Sequence, residues 1–243
     1  MHPRAEHLAA APFTLALSGG FFGFFAHTGL LAALEEAGLR PARVVGVSAG
    51  ALAGGVWAAG LPARALEDEL LRLRRADFWD PGLPLGGLLK GGRFSSKLLD
   101  VLRPTGVSRV EATRVPFTPV VHDVFARRPL ALAHGAIDLA IRASCCVPVM
   151  FRPVRLDGRL LVDGGVSDRA GLSALRPGER VLLHHLVPHE RKGSPAPVAP
   201  AGVDALVLTI PDLPLVTPFA LERGRDAFAR AREHARRWLA QSA

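Results

Sequence analysis

A chain of 243 residues with 49% apolar and 21% charged content reads as a globular protein with one sizeable core, taken here as a single domain over residues 1–243. Thirty Lys and Arg stand against 22 acids, for a formal net charge of +8, which favours contact with anionic surfaces such as phospholipid headgroups. The cations are spread from Arg4 to Arg237, and no zinc spacing, Lys/Arg block or interleaved aromatic strand pattern is present, so nucleic acid is not an expected partner.

The N-terminus, MHPRAEHLAAAPF, carries an acid and two histidines where a signal peptide would be continuously apolar, giving an expected cytoplasmic location. Phe13 to Leu17 is an apolar run ending in Ser-Gly-Gly, a buried strand followed by a tight loop. The segment HTGLLAALEEAGLRP places Leu30, Leu31 and Leu34 at helical spacing, with Gly38 as its C′ stop and Pro41 beyond. RVVGV predicts a second strand, SAGALAGGVWAAGLP a helix ending at Gly60, and ARALEDELLRLRR an amphipathic helix. Strands alternating with helices imply a parallel sheet with crossover helices.

Residues 77–92 are rich in Gly and Pro yet carry Phe78, Trp79 and several leucines, the composition of a lid, a membrane-contacting rim or a loop folded onto the core. FTPVVHDV predicts a third strand, AIDLAIRAS a helix, and VRLDGRLLVDGG a hairpin turning at Asp157-Gly158. RVLLHHLV and VDALVLTI are two more buried strands, joined by the surface loop PHERKGSPAPVAP. A helix over 219–239 places Leu221, Phe228, Ala231, Ala235 and Trp238 on one side, outside a core expected over about 13–210. Cys145 and Cys146 adjoin, a spacing too strained for a structural disulfide.

Two uncharged stretches, 13–34 and 44–63, raise the question of a membrane span, and Gly46, Gly50 and Gly54 repeat at the spacing of helix dimerisation motifs. Each is interrupted by glycines and small polar residues and divides into strand, turn and helix. The alternative is a nucleophile elbow, Gly46-Val47-Ser48-Ala49-Gly50, with Ser48 on a sharp strand-to-helix turn. The helix beginning there would turn its free N–H groups toward developing negative charge. The loop SGGFFG (18–23) follows the preceding strand and could supply oxyanion donors. For a base, Asp163 in LVDGG could act directly on Ser48, or through His184 or His185 as a triad. Both histidines lie in an apolar strand and only one strand precedes the elbow, which favours the direct dyad; an aspartate near its free pKa of about 3.9 is a poor base, so burial is expected to raise it.

Together, SGGFFG with AHTGLLAALEEAGL, GVSAG with ALAGGVWAAGL, and AIRASCCVPVMFRPVRLDGRLLVDGGV resemble the patatin-like phospholipase family over roughly 13–210. The resemblance implies a three-layer α/β/α fold with a mostly parallel central sheet, and a lipid acyl hydrolase acting on carboxylic esters through an acyl-serine. It also implies Ser48 as nucleophile, Asp163 as its dyad partner and the backbone of Gly19, Gly20 and Phe21 as the oxyanion hole. Gly23, Gly46, Gly50, Gly164 and Gly165 complete its motifs. No metal or organic cofactor is implied; the partners are a lipid ester and, through the arginine-rich surface and the 78–89 loop, an anionic membrane. A lipid-binding protein without turnover and an acyltransferase using the same serine are the alternatives. The chain departs from the family pattern at Ser18, at Phe22 where a cation is usual, and at Ser167, Asp168, Arg169 and Gly171 after DGGV.

Overall fold

The computed structural model describes residues 3–83, 86–187 and 195–242. In chain order the elements are α1 (Arg4–Ala9), β1 (Thr14–Leu17), α2 (Phe24–Glu36), β2 (Arg43–Val47), α3 (Ala49–Ala58), α4 (Ala63–Leu71) and α5 (Gly92–Leu102). Then follow β3 (Phe117–Asp123), β4 (Arg128–Ala131), α6 (Ile137–Ser144), β5 (Val154–Leu156), β6 (Arg159–Asp163), β7 (Arg180–His184), β8 (Asp204–Leu208) and α7 (Gly224–Ala240). Seven strands run in the order β5-β6-β3-β2-β1-β7-β8, with β4 paired to β3. The β3–β2–β1–β7–β8 block is parallel, while β4, β5 and β6 pair antiparallel.

Strand alternation sorts the core into two faces. Leu15, Leu17, Val44, Phe117 and Leu182 point toward the helices, whereas Ala16, Val45, Val47, Val120, Val181 and Leu183 point to the opposite side. The helical face is thick. From Phe24 through Leu34 every residue of α2 is buried, because α2 lies between the sheet and α7, and its two polar side chains in this run, His27 and Thr28, are hydrogen-bonded to the Ser18 and Phe24 carbonyls. Gly29 permits this sandwich: a Cβ there would stand 2.4 Å from the Phe228 carbonyl oxygen of α7. The opposite face is covered by Ala170, Leu172, Ala174 and Leu175, around a single 3-10 turn at Leu172–Ala174. The architecture is therefore a three-layer α/β/α arrangement on a mostly parallel sheet, with one outer layer much thinner than the other.

Both uncharged stretches resolve as strand, turn and helix, and among the described residues no helix is long and apolar enough to cross a membrane. The hairpin turn falls at Asp157 and Gly158, both at positive φ (48° and 73°), the two-residue turn that matches strand twist. Three elements lie where no element was expected, α1, α5 and β4. The last helix starts at Gly224 rather than at Phe219; Leu221–Arg223 is a separate 3-10 turn, and Phe219 is 71% exposed, because its ring packs on Trp79 instead of entering the helix face. Trp238 is only partly buried and lies under the Arg4 guanidinium. Much of the loop expected between β7 and β8 (188–194), like residues 84–85, lies outside the described residues.

Candidate active site

Sheet register brings the two key side chains together. Parallel pairing of β1 with β2 puts the loop after Leu17 and the turn after Val47 at one carboxyl edge. Val47 pairs with Val120 on β3, and the next residue, Val121, pairs with Asp163 on β6. Asp163 thus lies two strand spacings, about 10 Å along the sheet, from the end of β2, a span that two inward-turned side chains close. The Ser48 hydroxyl is near enough to the Asp163 carboxylate to lower its pKa, and both residues line the same cavity.

Ser48 adopts φ 51° and ψ −116° at the N-cap of α3. For a non-glycine residue this conformation costs on the order of 1–3 kcal/mol and persists only when neighbours enforce it. The neighbours here are identifiable. A Cβ on Gly50 would stand 2.1 Å from the Leu17 carbonyl oxygen, and one on Gly46 would stand 2.6 Å from the backbone of Gly50 and Ala51. Both glycines let α3 lie directly on β1 and β2. Two consecutive residues at the end of α6 then hold the serine backbone: the Ser48 N–H donates to Ser144 Oγ (2.9 Å), and the Cys145 thiol donates to the Ser48 carbonyl (3.1 Å). Ser144, fully buried, donates in turn to the Val120 carbonyl (2.6 Å), fastening elbow, helix and strand. Neither Ser144 nor Cys145 stood out in the sequence, since their partners are about a hundred residues away. Burial pushes the Cys145 thiol well above its ordinary pKa, so it serves as a neutral donor.

Asp163 is buried, with 5% exposure. Burial pushes its carboxyl up to about 6, against the lowering effects of the Ser48 hydroxyl, the Gly165 N–H and the Arg169 cation. The Gly165 N–H donates to Oδ1 at 2.7 Å. Gly164 is required for close approach, because its Cβ would meet the Val120 carbonyl at 2.3 Å.

The three expected oxyanion donors do not stand alike. The Gly19 N–H is already spent on the Arg169 carbonyl (2.7 Å), so Gly19 shapes the loop while Gly20 and Phe21 remain the backbone candidates. Gly20 and Gly23 make room for Leu186, which a Cβ at either would meet at 2.7 or 2.2 Å. Phe22 holds φ 51° and packs its ring against Phe21, Phe24 and Phe78.

Of the two histidines of the triad alternative, His184 is occupied elsewhere, and the buried Nδ1 of His185 has no hydrogen-bond partner. His184 is fully buried on the helical face, with its Nδ1 2.9 Å from His27 Nδ1. His27 Nε2 faces the Ser18 carbonyl at 2.8 Å and must donate to it, so His27 Nδ1 accepts and His184 Nδ1 donates. His184 Nε2 is then a buried acceptor with no hydrogen-bond partner. Burial lowers both rings, His27 to about 4. His185, partly buried, has its pKa lowered mainly by burial.

Ser48 and Asp163 open on a cavity of about 390 Å³. Ala49, Leu52 and Val56 on α3 line one wall; their spacing marks a single helix face, running about 12 Å from Ser48 at 1.5 Å per residue. Leu66 and Leu70 of α4 and Leu98 of α5 face it, so the unexpected helix α5 completes an apolar wall. A Glu69–Lys97 ion pair (2.8 Å) bridges α4 and α5 within that lining. Among the described residues no cluster of three or more His, Cys, Asp or Glu could hold a metal ion.

The profile of the family described as patatin-like phospholipase matches residues 15–176. An uncharacterized NTE family protein of Mycobacterium tuberculosis is 34% identical over 161 residues, covering 63% of this chain and 42% of that protein. Neuropathy target esterase sws of Drosophila melanogaster is 27% identical over 169 residues, covering 66% of this chain and 12% of the esterase. The chain therefore spans less than half the length of these relatives. Among solved structures, VipD from Legionella pneumophila superposes with a TM-score of 0.52 at 13% identity, covering 94% of this chain and 66% of VipD. The type III effector ExoU gives 0.52 at 16%, covering 94% and 52%; at these identities the likeness is one of fold.

Proposed function

The chain belongs to the patatin-like phospholipase family, which supports a lipid-hydrolase function, and from that premise we propose a serine lipid acyl hydrolase of carboxylic esters working through a Ser48–Asp163 dyad. The observation that carries this reading is the convergence of the Ser48 hydroxyl and the buried Asp163 carboxylate in the lining of one apolar cavity.

In this mechanism the acyl chain lies along α3 with its ester carbonyl beside Ser48. Ser48 Oγ attacks the carbonyl carbon while its proton passes to Asp163. The resulting oxyanion is met by the Gly20 and Phe21 N–H groups and by the N-terminal end of α3. Collapse expels the alcohol, which takes the proton from Asp163, and leaves acyl-Ser48. Water then attacks, with Asp163 again accepting the proton, and the free acid departs as the proton returns to Ser48. An aspartate titrating at about 6 is ionised at neutral pH and more basic than an ordinary one, which suits it to this role.

The test is a panel of glycerophospholipids, neutral lipids and short esters assayed by product mass with wild type, Ser48→Ala and Asp163→Asn, together with fluorophosphonate labelling. Expected are loss of turnover by at least about a thousandfold in both variants, and labelling of wild type that Ser48→Ala abolishes. A His184→Ala, His185→Ala double variant that folds should retain turnover. Since Asp163 must be ionised, kcat/KM should fall about tenfold per pH unit below about 6. Equal turnover in wild type and both dyad variants would sink the assignment, and free acid released only when an acceptor alcohol is supplied would make the protein an acyltransferase.

A further inference from the structure

Around the cavity mouth several large apolar side chains point into solvent. Leu83 is 72% exposed, Leu88 56%, Val149 75% and Phe219 71%. Their backbones are held firmly. The Leu88 N–H donates to the Val149 carbonyl (3.0 Å), the Leu89 N–H to that of Met150 (2.8 Å), and the Arg152 N–H to that of Leu89 (3.1 Å). Arg152 Nη2 also donates to the Leu83 carbonyl (2.8 Å). Phe219 meets Trp79 edge-on, with ring centroids 6.0 Å apart, and the Arg75 guanidinium lies over both rings. Leu89, Met150, Trp79 and Pro218, next to the exposed residues, line the cavity itself.

Val149 is the informative residue. Its φ is +69°, a conformation that is an outlier for a β-branched side chain. Strain of this kind is ordinarily offset by burial, yet this side chain fills no core. The backbone is thus held in an unfavourable state that aims two methyl groups outward, beside the other apolar tips. The surrounding charge is cationic. Arg75, Lys90, Arg93 and Arg152 belong to these segments, while the acids among them are occupied by backbone amides: Asp77 accepts from the Arg74 N–H, and Asp80 from those of Gly91, Gly92 and Arg93.

We propose that Leu83, Leu88, Val149 and Phe219 form an insertion rim that enters the surface of an anionic lipid bilayer and seats the cavity mouth against it. Separate apolar tips on pinned loops, with three arginines and a lysine in the same segments and an apolar cavity beside them, match a bilayer, where hydrocarbon lies beneath a layer of negative headgroups. Each cation near such a surface strengthens binding about fivefold, in a salt-sensitive way. The lipid acyl hydrolase reading supplies the purpose of the rim, but membrane binding itself requires no turnover.

Sedimentation with vesicles, using protein that also carries Ser48→Ala to leave the lipid intact, tests the rim. Vesicles of phosphatidylcholine mixed with phosphatidylglycerol should bind the protein more tightly than phosphatidylcholine alone, and added salt should weaken the difference. Leu88→Ser and Val149→Gly should each lower partitioning about tenfold. With Ser48 intact, the same rim variants should hydrolyse soluble p-nitrophenyl butyrate as wild type does. Val149→Gly should melt no lower than its parent, because glycine accepts the backbone conformation that valine resists. Unchanged vesicle binding in both variants would overturn the proposal, as would an equal loss of butyrate hydrolysis, or a lipid-free dimer that Leu88→Ser dissociates. Rim-dependent vesicle binding by a protein that hydrolyses no ester would uphold the rim and refute the hydrolase reading.

Discussion

At the inner end of the cavity, a single methyl group added to Gly50 would stand 2.1 Å from a carbonyl oxygen of β1. At the outer end, Leu88 and Val149 present whole side chains to solvent. Both regions hold their backbone in strained conformations, Ser48 at φ 51° and Val149 at φ 69°, but they are enforced differently. Around Ser48 the constraint comes from every side: two glycines under the helix, a buried serine on its N–H and a thiol on its carbonyl. Around Val149 it comes from one strip of backbone hydrogen bonds to residues 88 and 89. The inner region should therefore tolerate almost no change, and the outer region almost any change that leaves those amides in place.

Substitutions graded by stability break or sharpen this contrast. Gly50→Ala should be the most damaging, since α3 must lift from β1; we expect a loss of about 3 kcal/mol or more, read as a lowered urea midpoint with little or no folded protein. Acid is next. Burial holds His27 at about 4, against 6.5 when unfolded. Above pH 6.5 both states are neutral and the stability is complete. As pH falls toward 4 the unfolded chain takes up a proton that the native state refuses, so up to about 3 kcal/mol is lost across that window. Urea melts at pH 7 and pH 4.5 should show this decline, and a His27→Leu, His184→Leu double variant should flatten it.

Ser144→Ala comes third. It strands the Ser48 N–H and the Val120 carbonyl and should cost about 2 kcal/mol. Because Ser144 holds the backbone of the proposed nucleophile, kcat should fall with KM unchanged, and Ser144→Thr should restore part of the rate. Leu88→Ser should lie within about 0.5 kcal/mol of wild type; a larger loss would mean that the rim is part of the core.

The same contrast explains what could be read from the sequence. β1, β2 and the hairpin were legible because each is a short apolar run bounded by glycines with a steric function, and the elbow stood out because only small residues fit beside its strand. The contacts of Ser144, Cys145 and the Arg169 carbonyl join segments about 100 to 150 residues apart, and no local pattern encodes them. The helix α5 was hidden because it begins at Gly92, inside a glycine-rich stretch, with a left-handed Gly91 as its cap. The strand β4, with Arg128 and Pro129, carries little of the apolar alternation that marks a buried strand. Phe219 reads as the start of the last helix because it continues an apolar pattern, which the chain uses instead for an edge-to-face contact with Trp79.

The bond from the Gly19 N–H to the Arg169 carbonyl joins the segment that follows the proposed proton acceptor to the loop that would receive the oxyanion. The two halves of the chemistry are thereby mechanically coupled. A chimera that imported the 164–171 segment from a relative without its own glycine loop would inherit a mismatched pair. Variation in this protein should accordingly be transplanted as the two segments together, even though 140 residues of chain separate them.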